Sequence, residues 1–164
     1  MSASTIENDF KQAMRRLATT IALVTSGTGD KWTGMAATAL TSVTADPPTI
    51  LVAVNRSTSL SPVLSEHRQF CVNLLSERHR ELVSLFSGPT KGSARFQHGS
   101  WYASDEGLPV LSDSVASLIC TVITTLEVAT HTLFIGQVSH VANHPTIDPL
   151  IWVDGRFASA AQLA

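Results

Sequence analysis

The sequence predicts a mainly β protein, an antiparallel barrel, closed or split, that carries a few short helices in one domain spanning residues 1–164. Three observations lead there. The hydrophobic period switches from helical to alternating after the first twenty residues, strand-like runs then recur too closely for a doubly wound α/β sheet, and the last third of the chain is almost entirely strand-like.

The elements follow in order. Ser4-Thr5-Ile6-Glu7 has the form of a capping box, and Ile6, Phe10, Ala13, Met14 and Leu17 recur at helical spacing behind it, so one short amphipathic helix opens the chain. Ile21 to Thr25 reads as a strand, Gly27-Thr28-Gly29-Asp30 as a hairpin turn, and Trp32 onward as the partner strand. Further strands are predicted at Ile50 to Val54, Phe70 to Leu75, Ala116 to Val128, Leu133 to Ala142 and Leu150 to Phe157. A helix is predicted around Pro62 to Glu66 and another from Glu77 to Phe86, capped by Ser76, with Leu82, Val83, Leu85 and Phe86 on its apolar side. Gly88 to Pro109 is rich in Gly, Pro, Ser and charge and reads as a long surface excursion. In the C-terminal third, Ile119 to Thr125 reads as a strand buried on both faces, and Gly136 marks either a strand bend or a close ligand approach, the bend being the plainer reading.

Composition removes several classes of function. Eleven Lys plus Arg against 13 Asp plus Glu leave no basic field for nucleic acid or an anionic membrane surface. The first residues lack a basic segment followed by an apolar one, and no apolar run reaches the length of a membrane span, so a cytoplasmic protein is expected. Cys71 and Cys120 lie far apart inside apolar segments and read as buried free thiols; the six scattered histidines form no ligand set, and no metal is expected.

The most informative stretch runs from Thr33 to Ser57. Gly34-Met35-Ala36-Ala37-Thr38 is a run of small residues that lets a flat ring approach backbone, Thr38, Thr41 and Ser42 add hydroxyls, and Val54-Asn55-Arg56-Ser57 ends the next strand in a polar corner. Such a wall suits a flat, phosphorylated cofactor. Each part also has a plain competitor. The hydroxyls can satisfy backbone groups, and Asn55-Arg56-Ser57 can be an ordinary turn. Arg95 and Arg156 can be solvated charges, and His131 a strand-end histidine. Trp32, Trp101 and Trp152 read as packing or interface residues.

The ordered motifs resemble the flavin reductase family, the reductase components that supply reduced flavin to two-component monooxygenases. The resemblance begins at Phe10 to Thr19 and Ile21 to Thr25 and continues through Gly34 to Val43, Asp46-Pro47-Pro48 and Val54-Asn55-Arg56-Ser57. It then takes in Phe70 to Ser76, Leu85-Phe86-Ser87, Arg95-Phe96, His131 to Val138 and the closing Pro149 to Phe157. The resemblance implies a flavin-binding split β-barrel of Greek-key type, a homodimer, and hydride transfer from NADH or NADPH to FMN or FAD. It further implies a separate oxygenase that receives the reduced flavin.

By that likeness, Gly34, Met35, Ala36, Ala37, Thr38, Ser42, Val54, Asn55, Arg56, Ser57 and Ser61 would line the flavin, with Phe86 and Ser87 at its phosphate end. His131 would stand on the nicotinamide side as the catalytic group and Arg156 beside the nucleotide. The chain departs from the family's usual Gly-Asp-His with Ala129-Thr130-His131, which removes a carboxylate next to the histidine. That departure leaves a second reading open, a flavin-binding sensor or carrier without reductase activity.

Overall fold

The computed structural model describes residues 3–164, with side chains from residue 5 onward. The chain opens with helix α1 (Ala3–Met14), followed by strands β1 (Thr19–Thr20), β2 (Ala22–Ser26), β3 (Thr33–Ala37), β4 (Leu40–Ala45) and β5 (Pro48–Asn55). Helix α2 (Leu60–His67), β6 (Gln69–Leu74) and helix α3 (Arg80–Ser87) come next, then β7 (Trp101–Ala103), β8 (Pro109–Leu111), β9 (Ala116–Val128), β10 (His131–Asn143), β11 (Leu150–Val153) and β12 (Arg156–Ser159). The capping box expected at Ser4 lies outside the described side chains.

Seven strands form one antiparallel sheet in the order β3-β2-β6-β9-β10-β5-β4. Helix α2 packs on β2 and β3 near one edge of the sheet and on β5 near the other, and so bridges the two. Leu60 and Leu64 of α2 are fully buried with Val24, Val52, Val54, Phe70, Val72 and Phe134, and this cluster fills the barrel. A second core lies outside the barrel wall, where Leu23 of β2 packs with Leu75, Leu82, Phe86 and Leu111. β2 is therefore buried along its whole length. One of its faces looks into the barrel and the other toward α3.

Several expectations change in the folded chain. The strand expected from Leu150 to Phe157 is a hairpin: Asp154 and Gly155 both take positive φ, 50° and 71°, and form a two-residue turn that pairs Val153 with Arg156. Glu77–His79 forms a separate 3-10 turn before α3, and Ser76 caps it, its Oγ accepting from the Arg78 amide at 3.4 Å. The excursion after Gly88 is packed rather than loose. It contains a 3-10 segment (Gly92–Gln97) and the β7-β8 hairpin, and Phe96 and Trp101 lie edge-to-face at 4.8 Å beside Phe86.

β9 is buried on both faces only in its first half; Ile123, Leu126 and Val128 beyond it are 51%, 59% and 50% exposed. α1 is helical as expected, yet its apolar residues Ile6, Phe10 and Met14, and Leu17 just beyond its end, are about half exposed, because the helix is held at its end rather than packed on the core. Arg15 makes that attachment, pairing with Asp154 at 3.0 Å. Gly136 sits at a bulge, and a Cβ there would stand 2.7 Å from the Phe70 ring, so close packing in the barrel explains the glycine.

Candidate functional site

The small residues of β3 leave a trough between that strand and the C-terminal turn of α3. Its larger lobe, about 440 Å³, is lined by Ile21, Ala36, Ala37, Thr38, Val83, Ser84, Ser87, Trp152 and Phe157. The other lobe, about 280 Å³, is lined by Gly34, Met35, Ala36, Ser57, Thr58, Ser59, Phe86, Ser87, Lys91 and Arg95. Ala36 and Ser87 border both, so the lobes are parts of one trough.

The two ends differ in chemistry. Ile21, Val83, Trp152 and Phe157 make the first lobe apolar, and the two aromatic rings stand edge-to-face at 5.2 Å. The second end collects the hydroxyls of Ser57, Thr58, Ser59 and Ser87 with the ammonium of Lys91. An apolar slot joined to a hydroxyl-rich, cationic end matches a flat ring with a phosphorylated tail.

Arg95 is structural as well as a lining residue. It is 7% exposed and donates to the carbonyls of Gly34 at 2.6 Å, Thr90 at 2.5 Å and Gly88 at 3.2 Å, with its guanidinium 5.6 Å from the centre of the Phe86 ring. Burial holds its pKa below the usual arginine range. One cation thus ties β3 to the end of α3 and to the segment carrying Lys91. Gly34 belongs to the same contact: a Cβ there would lie 3.1 Å from Phe86 and 3.0 Å from the Val24 carbonyl.

Eight of the residues implied by the resemblance therefore meet in the trough: Gly34, Met35, Ala36, Ala37, Thr38, Ser57, Phe86 and Ser87. The others lie elsewhere for definite reasons. Val54 is fully buried in the barrel, which leaves only its backbone available to a ligand. Ser61 is buried in the first turn of α2. Ser42 stands exposed on β4 opposite Ile50, and Arg156 stands exposed on β12 next to the lining residue Phe157. Asn55 turns its Oδ1 to the Ser57 amide at 3.0 Å, the local turn bond its residue type favours.

Arg56 and His131 meet at the tip of the β9-β10 hairpin, outside both lobes. His131 pairs with Asn55 across β10 and β5, and its Nδ1 lies 2.9 Å from Thr130 Oγ1. Arg56 directs its guanidinium to the carbonyls of His131, at 3.0 Å, and Ala129. The lining residues absent from the sequence-based candidates include Ile21, Thr58, Ser59, Val83, Ser84, Lys91, Trp152 and Phe157. The hydroxyl-rich segment after Arg56 was a signal for Thr58 and Ser59, and the Asp154-Gly155 turn dipeptide for Phe157; Lys91 carried none.

The two cysteines are free and buried. Burial pushes the Cys120 thiol up to about 12 and raises that of Cys71 as well, which makes both poor nucleophiles. Among the described residues, no group of three or more His, Cys, Asp or Glu side chains is placed to hold a metal ion, and no helix is long and apolar enough to cross a membrane.

The curled antiparallel sheet with its few short helices defines a protein of the split-barrel class. The chain belongs to the flavin reductase like domain family, whose model matches residues 14–161. It is 36% identical over 151 residues, 92% of this chain and 87% of the relative, to the FMN reductase (NADH) RutF 2 of Rhizobium rhizogenes. It is 34% identical over 158 residues, 95% of this chain and 88% of the relative, to the reductase component of a Rhizobium FADH(2)-dependent resorcinol hydroxylase. Among solved structures, the styrene monooxygenase flavin reductase of Pseudomonas putida superposes with a TM-score of 0.85 at 29% identity, covering 95% of this chain and 99% of that one. The NADH:FAD oxidoreductase of Streptomyces globisporus, in complex with NAD and FAD fragments, superposes at 0.89 with 25% identity, covering 98% and 96%.

Proposed function

We propose that this chain is an NADH-dependent flavin reductase that supplies reduced flavin to a separate monooxygenase, with the trough between β3 and α3 as its flavin site. The observation that carries the reading is the division of that trough into an apolar lobe and a hydroxyl-and-lysine lobe, joined at Ala36 and Ser87. Family membership and the named activities of the relatives support it.

Flavin, when bound, supplies the ring that accepts hydride from the nicotinamide. The chain's own part is alignment. Ala36 and Ala37 keep one wall flat so that a ring can lie against backbone. Ser57, Thr58, Ser59, Ser87 and Lys91 fit a phosphate, and Arg95 fixes the distance between the two walls. His131 serves the nicotinamide side from the hairpin tip. Holding reacting atoms about 3 to 3.5 Å apart accounts for several kcal/mol of barrier lowering without any acid or base on the protein.

The finer assignments belong to the same reading. The flavin exchanges as a substrate, since the trough is open along its length, and both FMN and FAD are accepted, consistent with relatives named for each. The protein acts as a homodimer. Val43, Ile123, Leu126, Val128 and Val141 are 47% to 59% exposed on β4, β9 and β10, and a second copy would cover them. Light scattering at working concentration tests this, with a dimer expected and a monomer contradicting it. Turnover of NADH and NADPH against FMN and FAD tests the activity; flavin retained through gel filtration without nucleotide oxidation would favour a sensor or carrier instead.

A further inference from the structure

We propose that Arg56 is a positioning residue for the nicotinamide side: it clamps the β9-β10 hairpin that presents His131 and makes no contact with flavin. The proposal rests on the reading of His131 given above. Three hydrogen bonds run from this one residue to the hairpin. Its amide donates to the Thr130 carbonyl at 3.0 Å, and its guanidinium donates to the carbonyls of His131, at 3.0 Å, and Ala129.

The tip needs such a clamp. β9 and β10 are joined by Ala129-Thr130 alone, between the paired residues Val128 and His131. Ala129 takes a φ of 49°, in the left-handed region where a Cβ crowds the following carbonyl. Within one subunit the residues beside it on β9 are exposed on both faces, so the subunit's own packing does little to hold the turn. A planar guanidinium that reaches two carbonyls of the turn fixes its direction in a way that a single-point ammonium cannot. Thr130 completes the arrangement, because its hydroxyl lies 2.9 Å from His131 Nδ1 and restricts the ring's rotation. Arg56 thereby sets the backbone from which the imidazole projects, and Thr130 sets the ring.

The test uses Arg56→Gln, Arg56→Lys, His131→Ala and the double variant Arg56→Gln/His131→Ala in the full chain. Flavin affinity is read by fluorescence quenching, steady-state constants with varied NADH, and backbone amide exchange across residues 128–132. Arg56→Gln is expected to lower kcat/KM for NADH about tenfold, to leave flavin affinity within about twofold, and to speed exchange at the hairpin. Arg56→Lys should recover only part of the loss, and the double variant should be no worse than His131→Ala. Weakened flavin binding with unchanged NADH constants would overturn the proposal, as would additive losses in the double variant; either leaves the reading of His131 standing. If His131→Ala itself leaves the NADH constants unchanged, that reading fails and the proposal with it.

Discussion

The Arg95 guanidinium donates to the Gly34 carbonyl at 2.6 Å, and this contact joins the two walls of the trough between β3 and α3. The same side chain reaches Gly88 and Thr90, so it holds together the end of α3, the segment bearing Lys91 and the strand on which the ring would lie. Replacing it with methionine leaves those carbonyls without their donor in a buried setting. Arg95→Met is therefore expected to cost about 3 kcal/mol of stability and to weaken flavin binding, read by urea unfolding and by quenching of flavin fluorescence.

Lys91 gives the sharpest test of which end holds the phosphate. It lines the smaller lobe with Ser57, Thr58, Ser59 and Ser87. Lys91→Ala is expected to weaken FMN about tenfold and to leave riboflavin, which lacks the phosphate, within about twofold. Titration of both ligands against the variant checks it; equal losses would move the phosphate elsewhere.

Gly136 separates a packing role from a ligand role. A Cβ there would stand 2.7 Å from the Phe70 ring, which is fully buried in the barrel. Gly136→Ala is expected to destabilise by about 1 to 3 kcal/mol through overpacking, with flavin affinity retained in the folded fraction. A thermal melt and a flavin titration of the same preparation decide it.

The buried thiols impose an alkaline limit on stability. Burial raises the Cys120 pKa from 9.0 to about 12, and burial followed by the neighbouring Cys120 raises that of Cys71. Both groups keep their proton in the folded state when the unfolded chain has lost it. Their contribution is thus intact below pH 9 and is lost as pH rises toward 12, by at most about 1.4 kcal/mol per pH unit for each thiol. Urea midpoints measured from pH 7 to 10.5 should fall above pH 9, and Cys120→Ala should make the fall shallower.

Those residues that sit in locally patterned segments were legible before folding. Gly34 to Thr38 announce themselves as a run of small residues before a hydroxyl pair, and Phe86-Ser87 close an amphipathic period. The ends of β9, Ala116 and Val128, are legible because its β-branched run is long and bounded by turn residues. What escaped was set by tertiary packing. Lys91 enters the trough because Arg95 draws its segment onto β3, and Trp152 and Phe157 face each other because the Asp154-Gly155 turn folds one strand back on the next. The resemblance implies that Arg56 lines the flavin, yet the hairpin tip across the sheet takes its guanidinium. The apolar stripe of α1 was visible as a period, but a period does not say whether the face meets this chain's core or another surface.

In the proposed reaction, hydride passes from NADH to flavin in the trough between β3 and α3. The most direct measurement is the rate of NADH oxidation by the purified chain with and without added FMN or FAD, alongside Ala36→Leu, whose longer side chain would fill the trough where its two lobes meet. Oxidation that requires added flavin, saturates with it, and is lost in the folded Ala36→Leu variant is the predicted result. No flavin-dependent oxidation by the natural chain, or full activity in the variant, would contradict the account.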